Sequence, residues 1–209
     1  MFLEQLVSRL IKNPNKEILY TFKIVIIGGG GVGKTCLFNR FCFNSFNFDT
    51  SMTIGINFHS INLKIRNKED PSKVVEKSIA NSIFDFGGQD RFKPLIPKFI
   101  GGANGALLVF DLTNPSSLNQ LNFWYDQLIH HADGHKIPKI LVGSKKDLIE
   151  EKKWTALKEN TQITDFIKKK ALDGFIMTSS LKNYNVVEVF KELNNYMLEK
   201  IKKPYEVFS

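Results

Sequence analysis

Phe2, Leu3, Leu6, Val7, Leu10 and Ile11 recur at three- and four-residue steps, a spacing that predicts a helix with one apolar side over residues 1–12, stopped by Asn13-Pro14-Asn15. From Thr21 the period changes. The run TFKIVII (21–27) is short, apolar and rich in β-branched residues, and it ends in four glycines, so it predicts a buried strand entering a loop. Helical spacing returns over Thr35–Phe43. Two extended segments, Ile56–Ile65 and Val74–Phe86, flank the turn-like NKEDPSK and predict a hairpin. GALLVFD (105–111), KILVGS (139–144) and GFIMTS (174–179) are further buried-strand runs. Helical stretches near 116–131 and 152–171 separate them, and a final helix near 185–202 carries Val186, Val189, Phe190, Leu193, Met197 and Ile201 on its apolar face.

Strands alternating with helices predict right-handed crossovers, and hence an α/β domain: a mostly parallel six-stranded sheet with helices on both faces and one antiparallel strand from the hairpin. The expected division is an amphipathic helical extension at 1–19, the α/β domain at 20–202 and a short tail at 203–209. In open sheets of this kind ligands bind beyond the carboxyl ends of the strands, which directs attention to the residues after each strand.

The composition agrees with one folded domain: 209 residues, 43% hydrophobic and 24% charged, a balance that a disordered tail, a collagen repeat or a low-complexity solenoid does not have. The net charge of +8 raises the question of an anionic partner. Residues 136–170 hold ten Lys against five acidic residues, which reads as a solvated helix face, and no aromatic-basic signature or recognition helix points to nucleic acid. Two cysteines, Cys36 and Cys42, supply neither a disulfide framework nor zinc spacing, so a reducing, intracellular setting is expected. The first residues have no basic region before their apolar positions and no cleavage site, and no run of about 18 apolar residues offers a membrane span.

Three strand ends carry chemistry. Gly28-Gly29-Gly30-Gly31-Val32-Gly33-Lys34-Thr35 lies between a predicted strand and a predicted helix. Its glycines let main-chain N–H groups curl around a phosphate, Lys34 reaches the β- and γ-phosphates, and Thr35 offers a hydroxyl to Mg²⁺. A nucleoside triphosphate is therefore expected. The second place, Phe84-Asp85-Phe86-Gly87-Gly88-Gln89-Asp90, offers Asp85 to the metal, the Gly88 N–H to a γ-phosphate and Gln89 to an attacking water. The third is Ser144-Lys145-Lys146-Asp147. Asp147 can accept from both the ring imino N–H and the exocyclic amine of guanine, whereas adenine presents an acceptor at that ring position.

These segments, in this order, resemble the small GTPases of the Ras superfamily over about residues 21–202, with the Rab-like branch nearest. Ile54-Gly55-Ile56-Asn57-Phe58 resembles the Rab IGxxF segment, Gly87–Phe92 the AGQERF of switch II, and Gly102-Ala103-Asn104-Gly105 the GAxG that follows. The resemblance implies a P-loop G domain that binds GTP and GDP with Mg²⁺ and hydrolyses GTP as a molecular switch, in the setting of vesicle or membrane traffic. It implies nucleotide contacts at Gly28, Gly30, Gly31, Val32, Gly33, Lys34, Thr35, Cys36, Thr50, Thr53, Gly88, Ser144, Lys145 and Asp147. Thr53, 18 residues beyond Thr35, takes the place of the switch I threonine, so Thr35, Thr53 and Asp85 are the implied metal ligands. Phe46 falls where the family stacks an aromatic ring on the guanine edge, although among Phe38, Phe41, Phe43 and Phe48 it also reads as core. Thr178-Ser179-Ser180-Leu181 resembles the loop whose amide, here at Ser180, meets the guanine carbonyl. Implied partners are effectors, exchange factors and GTPase-activating proteins, with the chain itself a monomer.

Two departures carry expectations. Ser144 stands where the family has Asn, which predicts weaker or faster-exchanging nucleotide with guanine selectivity kept by Asp147; Phe86 and Gly87 replace the usual pair between the metal Asp and the catalytic Gly-Gln. No arginine stands where the family supplies a finger in cis, so Gln89, Lys34, Thr53 and Gly88 are left to give slow turnover. Without a cysteine beyond position 42, and with Phe2 rather than Gly after Met1, neither prenylation nor N-myristoylation is expected in this cytoplasmic reading. The apolar side of residues 1–12 either docks on the domain or lies on a membrane, with Arg9, Lys12 and Lys16 near headgroups. The competing classes are a guanine-nucleotide-dependent scaffold with little hydrolysis and a P-loop kinase or ATPase, the latter leaving Asp147 and IGINF unexplained.

Overall fold

The first strand is longer than its apolar run. In the computed structural model β1 spans Glu17–Ile27, so Glu17, Ile18 and Leu19 belong to the sheet and not to the N-terminal extension. The structure describes residues 17–48, 52–70, 77–88, 90–149 and 161–208, without the side chains of 90–92. The expected helix over 1–12, Thr50, Gln89 and the first half of the 152–171 helix lie outside the described residues.

After β1 come helix α1 (Lys34–Phe43), strands β2 (Ile56–Asn67) and β3 (Lys77–Phe86), a 3-10 turn (Asp90–Leu95) and the short helix α2 (Ile96–Ile100). Strand β4 (Gly105–Asp111), helix α3 (Ser116–His131), strand β5 (Lys139–Ser144), a second 3-10 turn (Lys146–Leu148) and helix α4 (Thr161–Lys170) follow. Strand β6 (Gly174–Met177), helix α5 (Val186–Lys200) and strand β7 (Tyr205–Val207) complete the order. The sheet runs β6-β5-β4-β1-β3-β2-β7. Neighbours from β6 to β3 are parallel, and β2 is antiparallel to both β3 and β7.

The sheet thus has seven strands where the sequence predicts six. The residues of the expected tail pair with β2, as Tyr205 lies opposite Asn67 and Val207 opposite Ile65. Three residues after a proline give no readable period. Their place is fixed by tertiary bonds: the Val207 N–H donates to Asn195 Oδ1 at 2.8 Å, and Arg66 pairs with Glu206 at 2.7 Å.

Alternation along β1 builds both halves of the core. Phe22, Ile24 and Ile26 pack under α1 and α5 with Leu37, Phe38, Val189, Phe190 and Leu193. Val25 and Ile27 face α2, α3 and α4, with Ile96, Leu121, Trp124 and Phe166. Strands β4 and β5 are buried throughout, as parallel strands covered on both faces must be. This burial holds the strand ends rigidly side by side and brings the loops after β1, β3 and β5 to one edge.

Polar residues also lie within that core, and the least compensated among the described ones is in β3. Asn81, in the middle of β3 opposite Phe22 and Ile61, is fully buried, and neither atom of its carboxamide has a hydrogen-bond partner among the described residues. Desolvating a carboxamide without compensation costs about 1–3 kcal/mol. Asn81→Val is expected to raise unfolding stability by about that amount in urea titrations with an unchanged slope; a destabilised variant would show that Asn81 has a partner after all.

Candidate nucleotide-binding site

The glycine loop joins β1 to α1. Gly33 caps the helix with φ 92°, a conformation that costs an L-residue and not glycine, so the loop turns there and presents its N–H groups ahead of the helix N-terminus. Lys34 is buried and turned back into the loop: its Nζ donates to the carbonyls of Gly28 at 2.9 Å and Gly29 at 2.6 Å. Burial pushes its ammonium down to about 8, against the pull of Asp85. Below that pH the folded protein pays for a buried charge that the unfolded chain does not pay for, and a phosphate beside Lys34 removes the cost.

Asp85 closes the end of β3 and is wholly buried. Its Oδ2 accepts from Thr35 Oγ1 at 2.7 Å and from Asn57 Nδ2 at 3.1 Å, while Oδ1 is buried with no partner among the described residues. Burial raises its pKa; the bonds from Thr35 and Asn57 and the charge of Lys34 oppose the rise. Thr35 Oγ1 also lies 2.5 Å from Thr53 Oγ1. Because the Thr35 proton goes to the carboxylate, Thr53 is the donor in that contact. Three oxygens from three separate segments thus converge, one of them on a carboxylate whose other oxygen is unpaired. This donor set suits a hard divalent cation that keeps part of its water.

Gly88 follows β3 and is pressed onto the loop. A Cβ there would lie 2.4 Å from the carbonyl carbon and oxygen of Gly29 and 2.5 Å from the Gly30 nitrogen, all main-chain atoms. Together Gly30, Gly31, Gly33, Lys34, Thr35, Cys36, Met52, Thr53, Gly88 and Lys145 line a cavity of about 180 Å³. Glycine main chain, the Thr35 and Thr53 hydroxyls and the Lys34 and Lys145 side chains suit a phosphate, and Cys36 and Met52 complete the wall.

The β5 end builds a neighbouring cluster. Ser144 is buried, with its Oγ 2.5 Å from the Val32 carbonyl and 2.9 Å from that of Phe110, so its one proton serves the main chain and ties β5 to the glycine loop. Lys145 has φ 60°, and its ammonium pairs with Asp111 at 2.6 Å. The Ser179 hydroxyl donates to Asp147 Oδ1 at 2.5 Å. Main-chain bonds between Ser179 and Tyr184 in both directions hold the loop after β6 beside it.

Sequence comparison then decides the family. A model of the Ras family matches residues 23–199. The chain belongs to the Ras family. Among similar proteins, the GTP-binding protein ypt3 of Schizosaccharomyces pombe is 34% identical over 190 residues, covering 88% of this chain and 82% of that protein. The Ras-related protein RABA2a of Arabidopsis thaliana is 33% identical, covering 88% and 78%, and the Ras-related protein RAB1BV of Beta vulgaris 38% identical, covering 82% and 73%. This member is a Rab-like small GTPase, a guanine-nucleotide switch.

The structure brings most of the expected Ras-family positions into two adjoining groups. Gly30, Gly31, Gly33, Lys34, Thr35, Cys36, Thr53, Gly88 and Lys145 share the phosphate cavity. Gly28 and Val32 stand behind it, giving carbonyls to Lys34 and Ser144. Asp147, Ser179, Ser180 and Leu181 form the second group, off the cavity wall. Phe46 is half-buried and meets Phe48 edge-on at 5.0 Å, part of an aromatic cluster rather than of the cavity. Among residues to which the sequence gives no site role, Met52 lines the cavity, Asn57 steadies Asp85, and Gln120 of α3 fills the room beside Gly29, its Oε1 2.0 Å from where a Cβ would sit. Asn57 lies inside the IGINF segment, the one sequence signal that marks any of the three. Among the described residues no helix is long and apolar enough to cross a membrane.

Proposed function

We propose that this Rab-like protein binds GTP with its phosphates on the glycine loop and its base at Asp147, hydrolyses the β–γ bond slowly, and presents different surfaces to effector, exchange and activating proteins in the two nucleotide states, in vesicle or membrane traffic. The observation that carries the reading is the convergence of Lys34, Thr35, Thr53 and Gly88 on one phosphate-sized cavity, with Asp85 bonded to the Thr35 hydroxyl behind its wall. Thr35, Thr53 and Asp85 would hold Mg²⁺, which when bound neutralises charge on the phosphate oxygens. Lys34 and the loop amides balance the remaining charge. The Gly88 N–H faces the γ-phosphate, and Gln89 orients the attacking water. Loss of the γ-phosphate frees Thr53 and Gly88, and with them the segments on either side of the β2–β3 hairpin. Asp147 accepts from guanine, while Ser144, committed to Val32 and Phe110, gives the base less than an asparagine would.

No arginine among the described side chains enters this constellation, and intrinsic turnover is expected on the order of 10⁻⁴–10⁻³ s⁻¹. Single-turnover hydrolysis of radiolabelled GTP tests the reading. Gln89→Leu is expected to slow it about tenfold or more with GDP affinity unchanged. An unaltered rate removes Gln89 from the chemistry, and no hydrolysis by the parent protein would favour the scaffold.

A further inference from the structure

Arg40 lies in the last turn of α1, outside the phosphate cavity. Its guanidinium nevertheless reaches across the molecule: Nε donates to the Ser180 carbonyl at 2.7 Å and Nη2 to that of Leu181 at 3.4 Å. Nη1 donates to the Asn44 carbonyl at 3.0 Å and to Asn44 Oδ1 at 3.3 Å, and the guanidinium carbon stands 5.9 Å from the centre of the Phe46 ring. All three nitrogens are used, in the fixed fork that only arginine offers.

We propose that Arg40 is a positioning residue for base selection, orienting Asp147 through the Ser180–Leu181 main chain; the assignment rests on the guanine reading of that loop. With the Leu181 carbonyl held by Arg40, planarity of the peptide turns the Lys182 N–H the opposite way, where it donates to Ser179 Oγ at 3.1 Å. That oxygen has one proton, and Ser179 gives it to Asp147 Oδ1 at 2.5 Å. One peptide plane and one hydroxyl therefore carry orientation from the guanidinium to the carboxylate that discriminates the base. Holding Ser180 O as well fixes two successive carbonyls on one side, so the loop cannot rotate away from Asp147 as a unit. The same guanidinium grips Asn44, the left-handed cap of α1 at φ 49°, and thereby ties the base loop to the chain that leads towards Thr53.

The test uses the full chain and a fluorescent GDP analogue, measuring its dissociation and its displacement by GDP and by ADP. Arg40→Ala is expected to release the analogue about tenfold faster and to lower the GDP-over-ADP preference by a similar factor. Arg40→Lys keeps the charge without the fork and is expected to lose at least about threefold of that preference with a parent-like melting temperature, which decides the matter if the alanine variant folds poorly. Equal weakening of GDP and ADP, or a preference unchanged in Arg40→Lys, overturns the assignment and leaves Arg40 a structural residue. A parent protein that does not prefer GDP to ADP overturns the guanine reading itself, and that result is visible before any substitution is made.

Discussion

Asp147→Asn is expected to lower GDP affinity by about a thousandfold and to turn the preference towards xanthosine diphosphate. The carboxylate accepts two N–H bonds from guanine, whereas a carboxamide keeps one acceptor and sets an amine against the exocyclic amine of the base. A buried site built for a particular donor pattern discriminates by factors of about 10⁴ when that pattern is broken, and partial exposure of the loop justifies a smaller figure. Xanthine has a carbonyl where guanine has that amine, so it pairs with the carboxamide. The Ser179 hydroxyl is indifferent to the exchange, because the asparagine oxygen still accepts from it. Competition against a fluorescent nucleotide reads both effects, and a variant that binds GDP within about threefold of the parent would remove Asp147 from the base site.

Gly88→Ala produces a different failure. The added methyl meets the main chain of Gly29 and Gly30 at 2.4–2.5 Å, and neither neighbour has a side chain that could swing aside, so the strand end itself must retreat from the loop. A retreat of that kind withdraws one fixed N–H donor from the γ-phosphate. Loss of such a donor costs on the order of 100-fold in rate. Single-turnover GTP hydrolysis is expected to fall by about that factor, while GDP, which has no γ-phosphate, binds as before. A hydrolysis rate within about threefold of the parent would mean that Gly88 does not face the phosphate.

The parts of the site that the sequence makes legible are those in which consecutive residues carry the chemistry. Gly28–Thr35 announces strand, turn and helix together with the ligand, and Lys34–Phe43 forms the helix that the spacing of 35–43 predicts. Helix α3 keeps the bounds 116–131 because its apolar face is continuous from Leu118 to Leu128. What the sequence hides is contact between distant segments. Arg40 reads as a helix residue beside Phe41, and nothing near it in the chain foretells bonds to carbonyls 140 and 141 residues away. Ser144 reads as a lost amide; the structure adds that its hydroxyl is spent on Val32 and Phe110. Strand β7 is too short for a period and depends on an edge that only the folded sheet provides. The start of β1 at Glu17 is hidden for a related reason: Glu17 and Ile18 are exposed, and Leu19 and Tyr20 only partly buried, so this stretch owes its place to pairing with β3.

The claim on which the rest depends is that this cavity and loop hold a guanine nucleotide. Protein purified without added nucleotide, then denatured, releases its ligand for identification by ion-exchange chromatography and absorbance. The expected result is GDP or GTP close to one mole per mole of protein. Release of an adenine nucleotide, or of none from protein that also fails to bind GDP on addition, would contradict the account.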